Sequence, residues 1–156
     1  MKNFPLRRCF LYLVAFLFAL INSCTKSSDK DENAYVLFGN ASGSQEVPQV
    51  GTQATASLDG TFNIDNHSLE YIVSWSGLSG NVTAINFHGP AGVGGTAEVL
   101  VKLPVNINSA TGKASGSIVA GDLVTDDLLN GNIYYNISTL NYPNGEIRGQ
   151  VIAMRE

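Results

Sequence analysis

Cysteine is nearly absent from this chain. Its 156 residues hold two, Cys9 and Cys24, and none follows position 24. A disulfide framework, a thiolate nucleophile and a cysteine-based zinc site are therefore excluded from everything downstream. The stability of that part must come from its core, and a chain of about 120 residues buries enough surface, roughly two-thirds, to do without a staple. Histidine is as scarce: His67 and His88 are the only two. Two scattered imidazoles support no Ser/His/Asp set. Basic charge is also short, with 9 Lys+Arg against 13 Asp+Glu. A nucleic-acid partner needs a basic stripe, and there is none. Long hydrophobic runs are limited to one, the 12 uncharged residues Phe10–Ile21. That is short of the roughly 20 needed to span a bilayer as a helix.

The run belongs instead to a leader. Lys2, Arg7 and Arg8 give a positive start, the apolar stretch follows, and the small residue Ser23 precedes Cys24. This order describes a signal peptide over 1–23. Residues 24–34, polar and without hydrophobic period, read as a tether. The domain occupies 35–156. Ile21-Asn22-Ser23-Cys24 resembles the lipobox of bacterial lipoproteins, with Asn22 where a small residue is usual. The resemblance implies cleavage before Cys24 and a lipid on its sulfur. It also implies a place outside the cytoplasm, anchored to a membrane of the cell envelope, with the outer membrane expected. Without Lys2, Arg7 and Arg8 the mature part has a net charge near −7. That suits solubility and names no ligand.

Strand signals dominate the domain. Ala56, Leu58, Phe62 and Ile64 alternate with polar residues over 54–65, and Leu69, Tyr71, Val73 and Trp75 do the same after the turn Asp65-Asn66-His67. Period-two alternation on both sides of a turn predicts a hairpin with these residues, Trp75 above all, in the core. Further strands are expected at Val82–His88, Thr96–Leu103, Lys113–Ala120, Asn132–Thr139 and Gly145–Met154, with an opening strand near Tyr35–Gly39. Only Asp122–Asn130 carries a helical pattern, capped by Asp122 and stopped at Gly131. About eight short antiparallel strands with one short helix predict an all-β, Greek-key sandwich.

Four segments, in order, resemble the CHRD domains named after chordin. They are Gly43-Ser44-Gln45-Glu46-Val47-Pro48, Phe87-His88-Gly89-Pro90-Ala91-Gly92 followed by Gly95, Gly131–Ile137, and Tyr142–Val151 with its Gly-Glu-Ile-Arg-Gly-Gln run. The resemblance implies a β-sandwich akin in topology to copper–zinc superoxide dismutases. The family includes chordin, an extracellular antagonist of growth factors, and many microbial secreted proteins. Typical members carry His-x-His in the second segment and another His after the third. Here those positions are Asn86, His88 and Ser138.

One imidazole with amide and hydroxyl neighbours is a poor zinc or copper site. The expectation is a hydrogen-bonded polar cluster of Asn86, His88 and Ser138, with no cofactor and His88 as the one weak metal candidate. Distant carboxylates such as Glu46 or Glu98 are the groups that would have to fold inward to complete a site. Glu146 and Arg148, two apart, predict an ion pair or a backbone-fixing role rather than catalysis. The glycines at 89, 92, 94 and 95 precede a strand, so they are turn glycines and not a phosphate loop. The expected function is that of a membrane-tethered, non-enzymatic binding or envelope-structural module for a protein or glycan that the sequence does not name. The alternative is a metal-dependent, redox-type activity centred on His88.

Overall fold

The computed structural model describes residues 33–106, 108–121 and 125–155. The leader, Cys24 and nearly all of the tether lie outside them. Nine strands follow one another: β1 Ala34–Ser42, β2 Thr55–Asn63, β3 Ser68–Ser76, β4 Val82–His88, β5 Val99–Leu103, β6 Gly112–Val119, β7 Tyr134–Thr139, β8 Ile147–Gln150 and β9 Ile152–Arg155. A five-residue helix, α1 Thr125–Leu129, precedes β7. Of the helical expectation over 122–130, residues 125–129 are helical and 122–124 lie outside the described residues.

The strands form one sheet in the order β5-β4-β7-β8-β1-β2-β3-β6, with β9 paired to β1. The chain changes halves between β3 and β4, β5 and β6, and β6 and β7, which is Greek-key wiring. The expected all-β, sandwich-like class holds. A single sheet curls into a half-barrel, and one hydrophobic cluster takes residues from both halves.

The corner explains why the expected last strand is two. Gln150 pairs with Tyr134 of β7, whereas Ile152 pairs with Phe38 of β1. Val151, fully buried between them, donates its N–H to Ile133 O at 2.9 Å. At this bend Gly39 and Gly149 let β1 and β8 approach each other. A Cβ on Gly39 would lie 2.6 Å from Gln150 O, and one on Gly149 2.6 Å from Asn40 O. The Tyr135 ring fills the space beside both, and its hydroxyl donates to Gly39 O at 3.1 Å.

The hairpin of β2 and β3 lies as its alternation predicts. Leu58, Phe62, Leu69, Tyr71, Val73 and Trp75 are all buried in the common core. Ile64 falls just past β2 and is only partly buried. On the other half the core receives Ile85 and Phe87 from β4 and Tyr135 and Ile137 from β7. Successive strand residues point to opposite faces. The residues between these four, Asn86 and Asn136, with His88 and Tyr134 just outside them, therefore face away from the core. That outer face carries the candidate site.

Candidate functional site

An outer sheet face is ordinarily wet. Here His88, Tyr134, Asn136, Ser138 and Arg148 are all buried, and the loop between β4 and β5 lies against His88, Tyr134 and Arg148. The sheet register sets His88 opposite Tyr134, Asn86 opposite Asn136, and Asn136 opposite Arg148. The His88 and Tyr134 rings stack with centroids 4.7 Å apart and planes 2° from parallel. The Arg148 guanidinium lies over the Tyr134 ring, 3.5 Å from its centroid. A planar cation on an aromatic face gains from the ring quadrupole, the more so when water is excluded.

The loop is held from below. Arg148 donates from Nη1 to Gly95 O and from Nη2 to Gly92 O at 3.1 Å. Gln150 Nε2 donates to Ala91 O at 2.8 Å and to Gly131 O at 2.6 Å. Ala97 gives its N–H to the Tyr134 hydroxyl at 3.2 Å, while its carbonyl accepts from the same hydroxyl at 3.3 Å. The Arg-Gly-Gln run and the Gly-Pro-Ala-Gly run, 58 positions apart from Pro90 to Arg148, are thus two sides of one clasp. Burial pulls Arg148 below its ordinary pKa, and Tyr134 and Glu46 draw it back up.

His88 is committed at both nitrogens. Nδ1 lies 3.0 Å from Ala97 O and Nε2 3.0 Å from Asn136 Oδ1. Asn136 Nδ2 donates to Asn144 O at 2.9 Å, which turns its Oδ1 toward the imidazole. The expected hydrogen-bonded cluster of Asn86, His88 and Ser138 does not form: the side chain that His88 meets is Asn136. Ser138 sits opposite Ala84, one step further along β4. Asn136 stands in the matched third segment, so its position was available as a signal. Asn86 shares the face, and its Oδ1 is buried without a hydrogen-bond partner. His67 occupies its turn at φ 55°, with its ring edge-on to Phe62 at 6.2 Å.

These groups do not fit a zinc or copper ion. One imidazole is present, and a metal on it would displace an oxygen partner. No group of three or more His, Cys, Asp or Glu suited to a metal occurs among the described residues. Calorimetry of the metal-free chain with zinc and copper is expected to show no tight binding that depends on His88. Micromolar binding removed by His88→Ala would contradict this.

The two carboxylates of the matched segments have opposite environments. Glu146 is fully buried, ahead of β8. It accepts from Thr52 Oγ1 at 3.0 Å, Ser79 N at 2.8 Å, Ser79 Oγ at 2.7 Å and Thr139 Oγ1 at 2.8 Å. Burial alone would push its pKa up, but these donors outweigh it and hold the carboxyl below its ordinary value. A carboxylate so satisfied is a weak base. It ties three chain segments together, and the expected backbone-fixing role is the one its geometry supports. An ion pair with Arg148 is not what forms. Glu146 lies just ahead of β8, and its two oxygens are taken by Thr52, Ser79 and Thr139 instead.

Glu46 does fold inward, whereas Glu98 is exposed. Glu46 follows the 3-10 turn Gly43–Gln45, whose Gly43 carbonyl accepts its N–H at 3.2 Å. Burial pushes its carboxyl above the ordinary value, and Arg148, the Val47 N–H and the Asn136 amide pull back without cancelling this. Its Oε1 is buried with no hydrogen-bond partner. That oxygen lies against Gly145, in the space a side chain would need.

All four matched segments therefore converge on one face. The model of the CHRD domain family matches residues 37–151. The chain belongs to the CHRD domain family. No curated protein and no solved structure matches it. In this CHRD domain the family segments are physically interdependent. Glu46 of the first lies beside Asn136 of the third and Arg148 of the fourth, while the fourth pins the glycine loop of the second.

Proposed function

We propose that the chain is a lipid-anchored CHRD-domain protein of the cell envelope, exposed outside the cytoplasm, that works by binding and not by catalysis. Membership of the family points to an extracellular-type binding module. The observation that carries the non-enzymatic reading is the use made of the polar side chains. His88, Tyr134, Arg148 and Gln150 spend their hydrogen bonds on loop carbonyls and on Asn136, and Glu146 spends its own on hydroxyls and an amide. Such a set holds loops in shape for recognition, with little ordering left to occur on binding.

The anchoring part of the reading rests on Cys24 following an apolar run and Ser23. Expression in a bacterial host with a labelled fatty acid tests it. Label is expected on the native chain, while Cys24→Ser should carry none and accumulate as an uncut or soluble form. Unchanged labelling and membrane partition in the variant would end the anchor reading and leave the binding reading untouched.

A further inference from the structure

Among the described residues, Glu46 is the buried carboxylate left with an oxygen that no hydrogen bond takes up. It sits at a cleft of about 210 Å³ between two loops, Glu46 to Val50 on one side and Asn141 to Gly145 on the other. Both loops are preformed. Val50 N donates to Gly43 O at 2.9 Å, and Thr139 and Tyr142 exchange backbone hydrogen bonds of 3.2 Å. Thr52 and Thr139, which flank the two loops, are both bound to Glu146. The walls are largely apolar: Val47, Pro48 and Pro143 are exposed, and Tyr142 is half-buried.

Two observations are independent of each other here. One is the cleft. The other is Glu46 itself, only 8% exposed, with Oε1 unpartnered beside Gly145, a residue of the same cleft. A buried carboxylate oxygen without a donor is costly, and an incoming donor removes that cost. A cation is the strongest such donor. One open oxygen suits a compact ammonium, whereas a guanidinium fork calls for two. Apolar walls suit the methylene stem that carries an ammonium on lysine. The acidic balance of the domain favours the approach of a basic partner.

We propose that the cleft between Glu46 to Val50 and Asn141 to Gly145 receives a lysine side chain of a partner protein, its ammonium on Glu46 and its stem against Val47, Pro48, Tyr142 and Pro143. This rests on the binding-module reading above and specifies the chemistry of what is bound. Gly145, against which Oε1 lies, has no side chain to stand between that oxygen and an incoming group.

Calorimetry of the full chain in detergent micelles tests the assignment, with Nα-acetyl-lysine amide as the probe and its norleucine counterpart as the uncharged control. The expected result is saturable heat with the lysine compound, none with norleucine, and at least about a tenfold weaker affinity in Glu46→Gln. Should Glu46→Gln melt early, Val47→Trp fills the cleft from an exposed position. It is expected to lose binding at an unchanged melting temperature. Equal binding of the two compounds, or heat that both variants leave unaltered, overturns the proposal. So does the absence of saturable heat. A parallel array of lysine-free peptides and neutral glycans separates this failure from that of the broader reading. Capture there that is insensitive to Glu46→Gln keeps the binding module and discards the cleft.

Discussion

Replacing Arg148 with alanine is expected to destabilise the domain by about 3–5 kcal/mol and to free the loop between β4 and β5. Arg148 is 2% exposed and donates to the carbonyls of Gly92 and Gly95 while lying on the Tyr134 ring. Each lost charge-assisted hydrogen bond is worth about 1.5–3 kcal/mol, and Gly92 O keeps only the Gly95 N–H at 3.1 Å. Loss of the guanidinium also removes the cation nearest Glu46 and uncovers one face of Tyr134. Arg148→Lys should recover less than half, because an ammonium does not bridge two carbonyls as a planar fork does. Chemical denaturation gives the first number, and amide exchange at residues 91–97 gives the second. A loss below about 1 kcal/mol with unchanged exchange would show that the clasp does not hold the loop.

Trp75→Ala is expected to cost about 3–5 kcal/mol, a large share of the roughly 5–15 kcal/mol that keeps a domain folded. Trp75 is 3% exposed on β3, between Ala56 of β2 and Gly112 of β6. These small neighbours cannot fill the space an indole leaves, so the cavity persists. The indole also has a polar role, since Nε1 donates to Ser109 O at 3.1 Å in the connection that enters β6. Trp75→Phe separates the two contributions and is expected to lose about 1 kcal/mol for the hydrogen bond, beyond any packing change. As the only tryptophan, Trp75 should emit at short wavelength in the native chain and shift to the red on unfolding. Water-exposed emission from the folded protein would refute the burial.

The two variants probe different layers, and the layers were unequally visible beforehand. The core face of β2 and β3 was legible because alternation is a local property: a residue two positions away shares the face wherever the strand goes. Turn residues at 65–67, 77–81 and 89–95 were legible for the same reason, and β4 begins and ends where expected. The division at Val151 was not legible. Gly145–Met154 has the composition of one strand, and only the crossing of β1 against β8 sends its second half to a different neighbour. The partner of His88 was missed because Ser138 and Asn136 share a face, and register with β4 alone decides which one is within reach.

By itself, then, the sequence determined the all-β class, the residues of the core, the cysteine-free domain and the family. Each of these is written in spacing and residue type along the chain. It also placed Glu46, His88, Glu146 and Arg148 within matched segments without stating what any of them touches. Tertiary structure decided that Arg148 clasps the glycine loop, that Glu146 is saturated by hydroxyls and an amide, and that Glu46 is left with an open oxygen beside a cleft. The reason is physical. A side chain's chemistry depends on its solvation and its donors, and for these residues the donors and acceptors lie up to 94 positions away, brought together only when the sheet curls.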